Sequence, residues 1–114
     1  MNNVISLQQA IDMTTRFRDQ NEAGGKMDIP RSETFDRAVF DQILSQTGCV
    51  KLRIYSGLDE KMGYRIIIVG VNEKDEDMLP DTLTSEATTD GGKTIGEDGM
   101  TCPPICPPSS PLNP

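Results

Sequence analysis

Two cysteines near the carboxyl end, Cys102 and Cys106, have the clearest capacity for chemistry in this chain. They lie in the sequence Cys-Pro-Pro-Ile-Cys-Pro-Pro, within residues 100–114, a segment that holds six of the eight prolines. Two thiols at this spacing suggest three functions: a disulfide, a pair of metal ligands or a redox-active dithiol.

The geometry of a proline-rich chain weighs against all three functions. In a polyproline II helix the two α-carbons would lie about 12 Å apart, whereas a disulfide permits roughly 7 Å. The threefold repeat of that helix also turns the two thiols to different faces. Only a turn, with a cis peptide bond before Pro104 or Pro107, would bring the two cysteines together.

Metal binding and redox chemistry find little further support in the sequence. The chain contains no histidine, and a tetrahedral metal site usually needs four sulfur or nitrogen ligands. Cys49 could add a third thiolate, but we expect it to be an inert residue of the core or sheet. The spacing of the cysteine pair is one residue longer than that of the redox motif Cys-x-x-Cys. We therefore predict no cofactor and no metal site, with Cys102 and Cys106 as the candidate ligands if a metal binds.

The acidic residues do not indicate a calcium site or a catalytic site. The run Asn72-Glu-Lys-Asp-Glu-Asp77 lacks the glycine and the distant glutamate of an EF-hand loop, so a solvated turn is the simpler interpretation. The adjacent acids Asp59 and Glu60 are typical of a solvated hairpin turn. Because the chain has no histidine, no phosphate-binding glycine loop and no recognised nucleophile motif, the sequence favours a protein that is not an enzyme.

The proline-rich tail is better explained as a docking element. Its Pro-x-x-Pro repeats favour a stiff, preformed helix, which loses little entropy on binding. A threefold register puts five tail residues on one apolar face: Cys102, Ile105, Pro108, Pro111 and Pro114. This tail strip is the predicted binding site. It could pack on the protein's own sheet or bind a partner protein, and the sequence leaves both possibilities open.

Charge narrows the classes of partner. The net charge is −7, and residues 72–99 carry nine acids against two lysines, which accounts for all of it. Such a segment repels phosphates, so we expect neither nucleic acid nor a membrane surface as a partner. The first residues do not resemble a signal peptide, and no apolar run is long enough to span a membrane. These features predict a cytoplasmic protein with reduced cysteines.

Two helices are predicted in the first half of the chain. Ser6 and Gln9 form a capping-box pattern, and apolar residues at three- and four-residue spacing then predict a helix from about 7 to 21. A second helix is expected to begin near Ser32, which would be its N-cap. The expected buried stripes are Leu7, Ala10, Ile11, Thr14 and Phe17 in the first helix, and Phe35, Ala38, Val39, Gln42 and Ile43 in the second.

Two strands are predicted to follow the helices. Residues 49–55 alternate, which puts Val50, Leu52 and Ile54 on a buried face, and residues 64–71 are apolar in both registers. A strand with two apolar faces needs cover on both sides, from helices, from the returning tail or from a second subunit. Because two strands alone are only marginally stable, we expect an unpaired edge to attract a partner strand.

Together these patterns predict an α+β fold, with two N-terminal helices packed on an antiparallel β-hairpin or small sheet. Three segments are expected: a core domain at residues 1–80, an acidic linker rich in glycine and threonine at 81–99, and an extended proline- and cysteine-rich tail at 100–114. The linker has few large apolar residues to bury. It should therefore be flexible unless Leu83 and Ile95 anchor it to the core.

Several segments carry a resemblance to known sequences: Val-Lys-Leu-Arg-Ile-Tyr-Ser-Gly-Leu-Asp-Glu at 50–60, Ile-Ile-Val-Gly-Val-Asn at 67–72, Glu-Asp-Met-Leu at 76–79, Glu-Asp-Gly at 97–99 and the Cys-Pro-Pro-Ile-Cys-Pro-Pro tail. Together they resemble a family of small bacterial proteins that has no assigned function. The resemblance implies a small bacterial protein of one domain. It brings no activity, cofactor or site residue to this chain.

The function predicted from these observations is that of a small non-catalytic binding or assembly module. Its partner would be another protein or a second copy of the chain, held through the tail or through an edge strand. The alternative is a thiol-dependent redox or metal-binding protein that uses Cys102 and Cys106.

Overall fold

The computed structural model describes residues 3–22, 29–80, 95–97 and 99–114. These residues form helices and antiparallel sheets, which confirms the predicted α+β class. The chain divides into two compact units, one made of Met1–Glu33 with Met100–Pro114 and the other of Thr34–Gly99. We call them the terminal unit and the sheet unit.

The sheet unit is built around a four-stranded antiparallel sheet. Its strands are β2 (Lys51–Leu58), β3 (Tyr64–Val71), β4 (Asp77–Met78) and β5 (Ile95–Gly96). Strand β3 is central, because it pairs with β2 along one edge and with β4 and β5 along the other. The predicted hairpin is therefore present, extended by two short strands. One of them, β5, comes from the segment predicted as a linker, most of which lies outside the described residues.

Strands β2 and β3 pair one to one along their whole length. The register runs from Lys51 opposite Val71 to Leu58 opposite Tyr64 without an unpaired residue, so the hairpin contains no bulge. Asp59 closes the turn between them, because its Oδ1 accepts hydrogen bonds from the backbone N–H groups of Lys61 and Gly63 at 2.9 and 2.8 Å. The turn therefore fixes the register that the strands follow.

Helix α2 (Arg37–Leu44) covers one face of this sheet. Its Ile43 is fully buried, with 0% exposure, and packs over two glycines of the sheet, Gly70 and Gly96. A β-carbon on Gly96 would lie 2.8 Å from Cγ1 of Val39, so the absence of a side chain lets the helix approach the strands closely. The apolar core of the sheet unit comprises Ile43, Ile68, Val69, Val71 and Met78.

Burial along β3 confirms that its carboxyl half is covered on both faces. Ile68, Val69 and Val71 are each at most 2% exposed, although neighbouring strand residues point to opposite sides of the sheet. The prediction for β2 is wrong in part. Leu52 is half-buried, but Val50 and Ile54 are exposed, because β2 is the outer strand and α2 packs on the central strand at Gly70.

The start of the second helix was predicted incorrectly. Residues Ser32–Thr34 form strand β1, and α2 begins only at Arg37, with Asp36 in the N-cap position. Phe35 therefore precedes the helix, where its ring meets that of Phe40 edge to face at 5.9 Å. Ser32 does not cap a helix because it lies in strand β1, which pairs with strand β6. Helix α2 packs on the four-stranded sheet, and the predicted packing of two helices on one hairpin stays a prediction.

Helix α1 (Leu7–Glu22) opens the terminal unit and confirms the first predicted helix. The capping box is present: Gln9 N–H donates to Ser6 Oγ at 3.1 Å, and Ser6 N–H donates to Gln9 Oε1 at 2.8 Å. The predicted stripe is half-buried at Ala10, Ile11, Thr14 and Phe17, whereas Leu7 is exposed. Leu7 lies in the first turn of the helix.

Strands β1 (Ser32–Thr34) and β6 (Met100–Cys102) form a separate two-stranded sheet. The Arg31 N–H donates to the Cys102 carbonyl at 2.6 Å beside this sheet. The tail therefore begins as a strand paired with residues about seventy positions earlier in the chain. No helix among the described residues is long and apolar enough to cross a membrane.

Candidate functional site

The outer edge of β2 presents backbone groups that no described residue pairs with. In an antiparallel pair, hydrogen-bonded and non-bonded positions alternate. The Asp59 N–H donates to the Gly63 carbonyl at 2.9 Å, so the odd-numbered residues of β2 are the ones bonded to β3. The Asn72 N–H donates to the Glu76 carbonyl at 3.1 Å. By the same alternation, the even-numbered residues of β3 are the ones bonded to β4. The N–H and C=O groups of Leu52, Ile54, Ser56 and Leu58 therefore point outward.

The side chains along this edge are largely apolar and exposed. Ile54 is 61% exposed and Leu58 is 43% exposed, and both lie on the face that α2 covers elsewhere. Tyr55 is exposed on the opposite face. Natural edge strands usually carry a proline, a bulge or an unpaired charge that blocks added strands. The eight residues of β2 contain no proline and no bulge, so only charge could protect the edge.

The charged side chains of β2 are already paired with Asp75, in the turn before β4, and with Asp77, in β4 itself. Arg53 donates from Nη2 to Asp75 Oδ1 at 2.8 Å and from Nη1 to Asp77 Oδ1 at 2.5 Å. Lys51 Nζ lies 3.1 Å from Asp75 Oδ1. Both cations reach across the sheet, away from the open edge. Both charged side chains of β2 are therefore paired, and the side chains left exposed along the open edge are mainly apolar.

Tyr55 completes this polar cluster, which consists of Lys51, Arg53, Tyr55, Asp75 and Asp77. The Tyr55 hydroxyl donates to Asp77 Oδ2, so both oxygens of that carboxylate are occupied. This hydrogen bond is the main cause that lowers the pKa of Asp77 and raises the pKa of Tyr55. The hydrogen bond from Lys51 is the main cause that lowers the pKa of Asp75. These hydrogen bonds and ion pairs hold Asp75 of the turn and Asp77 of β4 against β2.

The acidic run predicted as a solvated turn is a closed turn with paired acids. Asn72 Oδ1 accepts hydrogen bonds from the backbone N–H groups of Lys74 at 2.9 Å and Glu76 at 3.0 Å. Asp75 adopts a positive φ of 66° within this turn. Asp75 and Asp77 bind cations of β2, so the sequence interpretation was correct about the turn and incomplete about its charges. Sequence alone contained one signal for this pairing, the alternation of Lys51, Arg53 and Tyr55 on one face.

The cysteine pair in the tail contradicts the extended geometry expected for it. Cys102 and Cys106 are joined by a disulfide, and their α-carbons are 4.5 Å apart, far closer than in a polyproline II helix. The chain turns back here, with cis peptide bonds before Pro103 and Pro104 and a hydrogen bond from Ile105 N–H to the Thr101 carbonyl at 2.9 Å. The sequence left open a turn with a cis bond before Pro104 or Pro107, and the observed cis bonds precede Pro103 and Pro104. The bond between Cys102 and Cys106 also contradicts the prediction of reduced cysteines for this pair.

The five residues of the predicted tail strip differ in burial. Cys102 is fully buried, whereas Ile105 is 57% exposed and the three later prolines of the strip are exposed in a chain that turns. Ser110 and Asn113 close a second turn through mutual backbone hydrogen bonds of 3.1 and 3.0 Å. Arg18 of α1 donates to the Leu112 carbonyl at 2.8 Å, which ties the tail to its own unit. Whether Cys102, Ile105, Pro108, Pro111 and Pro114 bind a partner stays a prediction.

A metal site is not assembled by the described residues. No group of three or more histidine, cysteine, aspartate or glutamate side chains among them is arranged to hold an ion. Cys102 and Cys106, the candidate ligands, are bonded to each other. Cys49 is the free cysteine; it is half-buried and its thiol donates to the Lys51 carbonyl at 3.4 Å. Cys49 precedes β2 rather than lying in it, and its inert role stays a prediction.

Comparison with known proteins adds no family to this description. No protein-family model, curated protein or solved structure matches the chain.

Proposed function

We propose that this chain is a small non-catalytic binding module that accepts an extended strand along the outer edge of β2. One observation carries the proposal: the outward N–H and C=O groups of Leu52, Ile54, Ser56 and Leu58 are flanked by exposed apolar side chains. In strand addition, main-chain hydrogen bonds supply affinity and alternate side chains supply specificity. The polar cluster supports the proposal because it holds β2 rigidly while leaving its outer edge clear.

The tail has a supporting role in this proposal. Strand β6 and the bond from Arg18 to Leu112 involve tail residues in the terminal unit, so we infer that docking within the chain accounts for part of the tail. The exposed Ile105 is then a second candidate contact, independent of β2. A cytoplasmic location, a protein partner and the absence of nucleic-acid binding remain parts of the proposal.

The test compares two lysine variants of similarly exposed isoleucines. Ile54→Lys places a charge at the centre of the open edge, and Ile105→Lys places one on the tail. The Ile54 side chain is 61% exposed and the Ile105 side chain is 57% exposed. Tagged protein is used to capture partners from cells that express it naturally, with quantitative mass spectrometry as the measurement. We expect Ile54→Lys to lose a specific partner that Ile105→Lys retains. Equal capture by both variants contradicts a binding role for β2.

The second candidate function is a thiol-dependent protein, and the observation that favours it is the bond between Cys102 and Cys106. A short-range disulfide beside an exposed proline loop could exchange with a dithiol reductant, in which two electrons from that reductant convert the disulfide to two thiols. Equilibration with glutathione buffers of graded potential, followed by thiol alkylation and mass spectrometry, tests it. A pair that titrates near the cytosolic glutathione potential supports this function. A pair that stays oxidised in all buffers identifies a structural disulfide, typical of an oxidising compartment.

A further inference from the structure

We infer that the strand added to β2 is the β2 strand of a second copy of this chain, antiparallel and centred on Ile54. The inference rests on the proposed function, because it names the partner of that same edge. Identical chains that share one surface associate about a two-fold axis. Two copies of one strand edge become antiparallel neighbours when this axis is perpendicular to the sheet. Each residue then lies opposite the residue at the same distance on the other side of the axis.

The side chains of β2 are complementary to themselves when the axis passes through Ile54. Ile54 then packs against Ile54 of the partner subunit, and Leu52 lies opposite Ser56 of the partner subunit. Val50 precedes the strand and donates its N–H to the Val71 carbonyl at 2.9 Å, so it does not continue the open edge. The apolar pair formed by Ile54 and Ile54 of the partner subunit is therefore the main side-chain contact.

The charged and aromatic residues on the opposite face fit the same register. Arg53 comes opposite Tyr55 of the partner subunit, and Lys51 comes opposite Gly57 of the partner subunit. Like charges therefore do not face each other between the two strands. An arginine beside an aromatic ring is a favourable pair, and Asp75 and Asp77 already neutralise the cations of each copy.

Neighbouring registers are less complementary. Centring the axis on Arg53 puts two guanidinium groups directly opposite each other, which is unfavourable. Centring it on Tyr55 puts the exposed Ile54 against a serine. Centring it on Ser56 puts Leu52 against Glu60. The Ile54 register avoids each of these conflicts.

Backbone hydrogen bonding agrees with this register. The even-numbered residues of β2 point their N–H and C=O groups outward. In the Ile54 register they also lie opposite even-numbered residues, so each outward group meets an outward group of the other strand. The absence of a bulge in β2 keeps this matching continuous from Leu52 to Ser56.

The first test measures self-association by sedimentation equilibrium of the full chain. We expect concentration-dependent dimers for the wild-type protein and an approximately 100-fold higher dissociation constant for Ile54→Lys, because the two isoleucines of the central apolar pair are replaced by two facing charges. The matched variant Ile105→Lys should dimerise like the wild type. Circular dichroism establishes that both variants are folded. A wild-type monomer at about 1 mM, or an unchanged Ile54→Lys dimer, overturns the inference.

The second test determines the register by cross-linking. In a Cys49→Ser background, single cysteines replace Leu52, Ile54 or Ser56, and mild oxidation is followed by non-reducing electrophoresis. Only the residue on the two-fold axis lies opposite itself, within the distance that a disulfide spans. We expect Ile54→Cys to give the covalent dimer at least about tenfold faster than the other two variants. Fastest cross-linking at Leu52→Cys or Ser56→Cys overturns the register.

The two proposals fail in distinguishable ways. If the wild type is monomeric while Ile54→Lys still loses a captured protein, the second-copy inference is wrong and the binding edge stands. If neither a dimer nor an Ile54-dependent partner is found, both proposals are wrong.

Discussion

Replacing Gly96 by alanine would push a methyl group into the contact between α2 and the sheet. The added β-carbon would lie 2.8 Å from Cγ1 of Val39 and 3.2 Å from Cδ1 of Ile43. The first distance is shorter than real β-carbon contacts, and the β-branched valine has few rotamers with which to move aside. Overpacking of this kind typically costs about 1–3 kcal/mol of unfolding free energy. We expect Gly96→Ala to fall in that range.

Gly57→Ala is the matched control, because it is the same substitution on the same sheet. A β-carbon at position 57 would lie 3.5 Å from its nearest neighbours, the Arg65 carbonyl and Cγ1 of Ile67, which is an ordinary contact. Alanine loses less backbone entropy than glycine on folding, so Gly57→Ala should be neutral or stabilise by about 0.5–1 kcal/mol. The two substitutions are therefore expected to change stability in opposite directions.

Urea unfolding followed by tyrosine fluorescence measures both effects. The chain has two tyrosines and no tryptophan, and both Tyr55 and Tyr64 lie in the hairpin. Val39→Ala in the Gly96→Ala background removes the crowded methyl groups, so the double variant should lose less than the sum of the single losses, by about 1 kcal/mol. Equal stability of Gly96→Ala and Gly57→Ala would refute the close approach of α2.

Three further expectations concern the polar loop and the disulfide. The fold lowers the pKa of Asp77, so its carboxylate stabilises the protein above the unfolded pKa of about 4, and this contribution is lost as pH falls through the lower folded value. Urea unfolding between about pH 4 and 2 should therefore be less pH-dependent in Asp77→Asn than in the wild type, and parallel profiles would contradict the pairing. Asn72→Ala removes the side-chain oxygen that accepts hydrogen bonds from two backbone N–H groups, and it should lower the free energy of unfolding by about 1–2 kcal/mol in the same assay. The control Glu73→Ala, at the exposed neighbouring position, should lower it by less than about 0.5 kcal/mol. Thiol titration in denaturant should find one thiol per chain before reduction and three afterwards, and three thiols before reduction would show that the disulfide does not form. Cys106→Ser should lower the free energy of unfolding by about 2 kcal/mol, because the disulfide closes a short loop.

Local signals predicted the elements that depend on nearby residues. The capping box at Ser6 and the helical spacing after it predicted α1 to within a residue or two. The alternation before Ser56 and the apolar run from Tyr64 to Val71 predicted the hairpin. In each case the stabilising contacts join residues close in sequence, so the pattern contains the information that the fold uses.

The errors arose where distant residues determine local structure. Ser32 was assigned to a helix cap, but the segment is a strand because β6, from the tail, pairs with it. Val50 and Ile54 alternate like buried residues, yet position in the sheet decides burial, and β2 is the outer strand. The sequence predicted an unpaired strand edge, but it did not identify β2 as the outer strand.

By itself, the sequence determined the fold class, the hairpin, the acidic segment and the absence of histidine, since these follow from composition and short-range periodicity. Only the tertiary structure decided which strand is the outer one, which acids pair with Arg53 and how close Cys102 lies to Cys106. Those properties depend on contacts between residues far apart in the chain and on turns that reverse it. A one-dimensional pattern specifies which side chains prefer burial, but three-dimensional packing determines which of them obtain it.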